Sequence, residues 1–276
     1  DTMYVGPFNT IENGEYKFIA YTTLEADSID TNNEMQTTFD VQAITPLPFA
    51  EDFSGGYPDN WDDEMFSVVS SAFQSDRIAN EENARAVSPK IGVISDQYLI
   101  FDYKIVAYDN FGVQVGNYLR SNDYIDIQVS DDCGQTFNTI YTIDSDNHED
   151  LDEYANIMLD LSAYSGSNIV VRWDAHKGTI GTYEFMFDNV EIRSLVTDVA
   201  LNEIIHDHEG FCGTTDQEVY VAVENVGELD VNAVEVVLEI TDAGGDPIYD
   251  DLIAVTGTIA PGDIDTILMG TVDTEL

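Results

Sequence analysis

The fold is decided by two short stretches, Asp123-Tyr-Ile-Asp-Ile-Gln-Val129 and Glu218-Val-Tyr-Val-Ala-Val-Glu224. In each, apolar residues occupy alternate positions. A period of two places them on one face of an extended strand, whereas an amphipathic helix needs a period near 3.6. Runs of similar strand character occur at Tyr16–Thr22, Tyr98–Tyr103, Asn168–Trp173, Tyr183–Ile192 and Val234–Ile240. Turn formers separate them: Gly55-Gly56, Asp109-Asn110-Phe111-Gly112, Asp132-Cys133-Gly134, Gly244-Gly245-Asp246-Pro247 and Pro261-Gly262. Asp150–Leu161 could hold a helical turn, but Met158-Leu-Asp-Leu161 reads as extended. No long helical periodicity is present. The expected fold is all-β, built of sandwiches with many short strands.

The 276 residues carry 9 Lys+Arg against 54 Asp+Glu, a formal net charge of −45. A phosphate backbone needs a basic face to displace its counterions, so nucleic acid is not an expected partner. Anionic lipid surfaces are disfavoured for the same reason. Hydrophobic residues at 43% and aromatics at 11% argue for a packed core rather than an acidic disordered tail. No apolar run reaches the roughly 18–20 residues of a membrane-spanning helix. No signal peptide is evident, and a chain starting at Asp1 is expected to be a mature or interior piece. So large an excess of carboxylates fits a solvated surface in salt water with Ca²⁺ sites embedded in it, because Ca²⁺ prefers oxygen ligands.

Two boundaries stand out. Thr45-Pro-Leu-Pro48 is a stiff linker, and the composition shifts after Ile192-Arg-Ser-Leu195. The expected pieces are 1–45, 46–196 and 197–276. Each flank is too short for a sandwich of its own. An internal repeat links them: Asp265-Thr-Ile-Leu-Met-Gly-Thr-Val-Asp-Thr274 lines up with Asp1-Thr-Met-Tyr-Val-Gly-Pro-Phe-Asn-Thr10. On that reading 1–45 is the C-terminal part of one immunoglobulin-like domain. The segment 197–276 is the N-terminal part of the next. The expected partners are neighbouring copies arranged head to tail, either in one tandem chain or as separate subunits joined by strand addition.

An ordered set of motifs resembles the choice-of-anchor J, or cleaved-adhesin, jelly-roll family. It begins with Pro48-Phe-Ala-Glu-Asp-Phe53 and Pro58-Asp-Asn-Trp61. Ser88-Pro89, Tyr98-Leu-Ile-Phe-Asp-Tyr103 and Asp126–Phe137 follow. Leu159-Asp-Leu-Ser-Ala-Tyr-Ser-Gly166, Val170-Val-Arg-Trp173 and Phe187-Asp-Asn-Val-Glu-Ile192 complete the set. The flanks, through Val221–Gly227 and Asp27–Asn33, resemble immunoglobulin-like cell-adhesion modules of Bacteroidetes-type surface proteins. The resemblance implies an extracellular, cell-surface setting. It also implies a structural Ca²⁺ between the first and last strands of the jelly roll, where Glu51, Asp52 and Asp188 stand. Asp109 and Asn110 are further candidate ligands. Thr2, Ser28 and Thr266 match the Asp-Ser/Thr-aliphatic O-glycosylation pattern of those bacteria.

The other candidates are weaker. Asp144–Glu153 is the densest acidic run, but Glu149 stands where an EF-hand needs Gly and Ala155 where it needs Glu. It reads as a solvated loop. His206-Asp-His-Glu209 offers two imidazoles and reads as a loop entry. No nucleophile elbow, P-loop, GxGxxG or HExxH occurs, and no carboxylate pair is singled out for glycoside cleavage. The chain is therefore expected not to be an enzyme. Tyr57, Trp61, Tyr108, Phe111 and Tyr118 lie in or near loops, where aromatic faces could stack on sugar rings, while Trp173 is expected in the core. Cys133 and Cys212 show no CxxC spacing; they could pair with each other, pair elsewhere, or sit as separate buried side chains. The leading expectation is a non-enzymatic repeat unit of a large adhesin or surface filament. The alternative is a glycan-binding module of a secreted hydrolase.

Overall fold

The structure is a computed structural model. It describes residues 14–22, 33–41, 43–79, 82–108, 114–116, 119–148, 153–178, 181–206, 217–241, 244–254 and 257–272. Strands dominate, and no α-helix occurs among the described residues; the one helical turn there is a short 3₁₀ segment at Ser162–Tyr164. The chain divides into two compact units, Asp1–Ser194 and Leu195–Leu276.

The first unit opens with β1 (Gly14–Tyr21) and β2 (Glu34–Val41), an antiparallel pair that forms a two-stranded sheet of its own. Next come β3 (Phe49–Glu51), β4 (Asp62–Glu64), β5 (Phe66–Val69), β6 (Ala72–Ser75) and β7 (Asn83–Val87). These are followed by β8 (Tyr98–Tyr108), β9 (Gln114–Gly116), β10 (Tyr124–Ser130) and β11 (Asn138–Ile143). The unit closes with β12 (Ala155–Asp160), β13 (Val170–His176) and β14 (Glu184–Arg193).

Two antiparallel sheets result. One runs β11-β10-β13-β7-β4; the other runs β12-β8-β14-β6-β5, with β3 added on β14 and β9 on β8. The alternation read in the sequence becomes the two faces of each strand. In β13, Val171, Trp173 and Ala175 are buried, with Arg172, Asp174 and His176 between them. The buried faces meet in one aromatic core. Trp173 stacks on Phe187 with ring centroids 4.6 Å apart, and Phe53, Phe66, Phe73 and Phe101 pack around them. This is a β-sandwich of the jelly-roll kind. Its edge strand β4 consists of Asp62, Asp63 and Glu64.

Among the described residues of this unit, one ion pair has both side chains buried. Lys177 Nζ lies 2.6 Å from Asp123 Oδ1, and both side chains are buried. The same oxygen accepts a 2.9 Å bond from the Gly178 backbone N–H. Burial pushes the Asp123 carboxyl up, but the Lys177 ammonium and the N–H groups of Arg120 and Gly178 outweigh it and hold the group low. A Cβ on Gly178 would come within 2.8 Å of Asn122 Cβ, so only glycine fits there.

The second unit contains β15 (Val199–His206), β16 (Gln217–Asn225), β17 (Val231–Asn232), β18 (Glu235–Thr241), β19 (Pro247–Ala254), β20 (Thr258–Ile259) and β21 (Ile264–Val272). They form a three-stranded sheet β15-β16-β21 and two antiparallel pairs, β17-β20 and β18-β19. Val219, Val221, Val223, Val236, Leu238, Ile259 and Met269 form a separate small core. Asn225 is buried at the end of β16. Its amide donates to the carbonyls of Leu229 and Ile259, both at 2.8 Å, and its oxygen accepts from the Gly227 N–H at 3.0 Å. These bonds satisfy a chain reversal that would otherwise bury unpaired backbone groups.

The repeat segment 265–274 therefore falls largely on β21. Its partner segment, 1–10, lies outside the described residues.

Candidate functional site

The site grows from three strands side by side. Asp188 on β14 faces Asp102 on β8, and Asp102 faces Asn156 on β12. Beyond Asp188 the β14–β8 register slips, since Glu191 pairs with Ile100. That is a β-bulge, and Asn189 within it takes a left-handed φ of 51°. Asn is among the residues that tolerate this conformation. On the far side of β14, Glu51 of β3 faces Val190. The chain then leaves β3 through Asp52 and Phe53, which also has a φ of 51°.

The bulge and the exit of β3 enclose an open cleft of about 450 Å³ lined by Ala50, Glu51, Asp52, Asn189, Val190 and Glu191. Asp102 accepts amide bonds from Asn156 at 2.9 Å and from Asn189 at 2.8 Å. Asp52 is tied to its own turn: it accepts from the Ser54 hydroxyl at 2.7 Å and the Ser54 N–H at 3.0 Å, which hold its carboxyl low. Glu51 accepts from the Phe53 N–H at 2.8 Å. Asp188 is displaced the other way. Burial raises its carboxyl, a bond from the Asn189 N–H only partly offsets this, and the charges of Asp102 and Asp52 push it further up. Burial, together with Asp188 and Asp102, also raises the Tyr154 phenol.

Two of the carboxylates expected to meet, Asp52 and Asp188, are thus electrostatic neighbours, with Glu51 on the adjoining strand. Asp102 was not singled out by sequence reasoning. The signal available was its place in the Tyr98–Tyr103 motif, but only strand register shows that it opposes Asp188. The donors are all oxygen, carboxylate and amide, which suits a hard divalent cation. No cluster of three or more His, Cys, Asp or Glu with metal-binding arrangement occurs among the described residues. Asp109 and Asn110 lie outside the described residues.

The sugar-platform expectation changes. Trp61 is only 7% exposed; its ring stacks on Trp173 at 5.6 Å and meets Phe53 and Phe73 edge-on. It is a core residue, because the turn at Pro58–Asn60 leads it inward rather than out. Tyr57 is 52% exposed, and its hydroxyl donates to Asp63. Burial and that carboxylate raise its phenol to about 12. The side chains of Tyr108, Phe111 and Tyr118 lie outside the described residues. Trp173 is fully buried, as expected.

The remaining candidates spread out. Thr266 is exposed on β21, where it pairs with Ala222; Thr2 and Ser28 lie outside the described residues. In the acidic run, Asp144 accepts from the Asp146 N–H at 2.9 Å, an ordinary turn. His148 Nδ1 contacts the Tyr103 hydroxyl at 3.2 Å. His206 ends β15, and His208 lies outside the described residues. Cys133 is an exposed thiol in the Asp132–Gly134 turn, which corrects the buried alternative for it: its φ of 63° belongs to a surface turn. Cys212 lies outside the described residues.

No family model matches the chain, and no curated protein matches it. Several solved structures share weak structural similarity with it. The K1 cleaved adhesin domain of Lys-gingipain from Porphyromonas gingivalis W83 has 14% identity and a TM-score of 0.39, covering 54% of this chain and 98% of that one. The CBM22-1 xylan-binding domain of Paenibacillus barcinonensis Xyn10C has 10% identity and a TM-score of 0.34, covering 52% and 92%. The Endo-D glycoside hydrolase domain of Streptococcus pneumoniae R6 has 13% identity and a TM-score of 0.31, covering 77% and 36%. With TM-scores below 0.5, these likenesses assign no ligand or activity to this chain. No helix among the described residues is long and apolar enough to cross a membrane.

Proposed function

We propose that this chain is a non-enzymatic structural unit of an extracellular adhesin or surface filament, stiffened by Ca²⁺ held where Glu51 and Asp52 leave β3 beside Asp188 of β14, and joined head to tail to further copies. One observation carries the cation part. Two carboxylates stand opposite each other on neighbouring strands, with a third nearby, and the central one is pushed toward its neutral form. Opposed like charges across a sheet cost stability unless something of opposite charge lies between them. Asp188, Asp52 and Glu51 would supply carboxylate oxygens, and Asp102 would be held in place by Asn156 and Asn189. A bound cation would tie β3, near the start of the jelly roll, to β14 at its end. It would stiffen the sandwich against pulling along the chain.

The glycan-binding alternative is less well supported, because Trp61 is core and Tyr57 is the one exposed aromatic left among its described candidates. The test is thermal unfolding after EDTA treatment, then with Ca²⁺ added. A rise in Tm on Ca²⁺ addition, absent in Asp188→Asn, supports the reading. An unchanged Tm in the parent chain removes the cation from it.

A further inference from the structure

The geometry points to a specific joint between copies: we infer that the β1–β2 hairpin of one copy supplies the two missing strands of the second unit of another, with β1 pairing along the open edge of β18. This rests on the repeat-unit reading, and it names the strands that would join.

An immunoglobulin-like sandwich of seven strands puts its first, second, fourth and fifth strands in one sheet and its third, sixth and seventh in the other. In the second unit, β15, β16 and β21 form the first of these sheets, in the order expected. With the two-residue pair β17–β20 set aside, β18 is the third strand, and β19, fourth in chain order, pairs with β18 rather than joining the first sheet. The sixth and seventh are lacking among the described residues of that unit. Chain order says what they are. Segment 265–274, on β21, is repeated at 1–10, and the strands that follow 1–10 are β1 and β2. They are antiparallel to each other, as the sixth and seventh strands must be.

The side chains fit in one register. Tyr16, Phe18 and Ala20 of β1 share a face with Phe39, Thr37 and Met35, their partners on β2. Met35 on this face is 78% exposed. On β18 the core-facing residues are Val236, Leu238 and Ile240, and the outward ones are Glu235, Val237 and Glu239. Antiparallel pairing of Phe18 with Leu238 sets Tyr16 opposite Ile240 and Ala20 opposite Val236, so the apolar face enters the small core. On the outer face it sets Lys17 opposite Glu239 and Ile19 opposite Val237. Those last two are 50% and 66% exposed, and as cross-strand neighbours each would cover part of the other's apolar surface. Shifting the pairing by two residues in either direction takes Lys17 off Glu239 and Ile19 off Val237. Opposite charges and paired β-branched residues are the contacts that fix strand register.

The test is cysteine cross-linking of the full chain. In a Cys133→Ser, Cys212→Ser background, Ile19→Cys combined with Val237→Cys should give a ladder of covalent multimers under mild thiol oxidation. Either substitution alone should give no ladder. Cross-linked monomers alone would mean that the hairpin closes on its own chain, and no cross-link would mean that these strands do not meet; either result overturns the proposal. Sedimentation velocity on the unsubstituted chain guards against misfolded variants. Average mass should rise with concentration, and Phe18→Asp with Met35→Asp should abolish the rise; a concentration-independent monomer overturns the joint. Running both with EDTA separates it from the cation site. Multimers that persist without Ca²⁺ leave the joint standing even if the Tm never responds to the ion. A parent sequence holding a single copy of this segment would remove the repeat-unit reading, while a ladder would still establish the contact.

Discussion

Asp188 and Asp102 stand directly opposite each other on β14 and β8, and Asp102 is bonded to two side-chain amides, those of Asn156 and Asn189. The Asp188 carboxyl is raised by burial and by its acidic neighbours. A raised folded value means that its stabilising contribution is complete below the ordinary Asp value and is lost as pH rises through the folded one. In EDTA, Asp188→Asn should therefore stabilise the chain at neutral pH by about 0.2–1 kcal/mol. The gain should shrink as pH falls into the carboxylate range. Urea titrations at several pH values check both points.

The Lys177–Asp123 pair predicts the opposite trend. Lys177→Met leaves a buried carboxylate without its counter-charge, a change that costs about 3–5 kcal/mol. The Asp123 carboxyl is held low in the folded chain. Its contribution is thus present above the ordinary Asp value and is lost as pH falls through the depressed one. The stability gap between the parent and Lys177→Met, measured by urea unfolding, should be largest near neutrality and close in acid.

Trp61→Ala separates core from platform. Loss of a buried indole costs about 3–5 kcal/mol. Tyr57→Ala, at an exposed position, should change stability far less. Equal, small effects of the two substitutions on Tm would contradict the packing of Trp61 against Trp173.

Asn225→Ala should weaken the second unit alone. It leaves the carbonyls of Leu229 and Ile259 and the N–H of Gly227 without their side-chain partner, and one such buried group costs about 1–3 kcal/mol. Hydrogen exchange resolved by peptide should show faster exchange in 217–272, with 84–108 unchanged.

The strands of the sandwich could be read from alternation because a half-buried strand repeats every two residues, and Asp123–Val129 and Glu218–Glu224 became β10 and β16 almost to the residue. The site was only half legible. Asp52 and Asp188 belong to motifs, but Asp102 gains its meaning from the register of β8 against β14, a long-range fact that no local pattern encodes. Trp61 was misplaced because a loop signal, Pro58-Asp-Asn60, says where the chain turns and not which way the next side chain points. Cys133 shows the same limit, since composition cannot tell a buried thiol from one carried on a surface turn.

Strand β4 has a bearing on how such molecules would crowd. Asp62, Asp63 and Glu64 border the five-stranded sheet, where backbone groups would otherwise invite another strand. A like strand zipping on there would bring the carboxylates of one molecule against those of the other on both faces of the joined edge. Sideways recruitment at this border is therefore self-quenching, and a dense brush of these molecules would keep its members apart there.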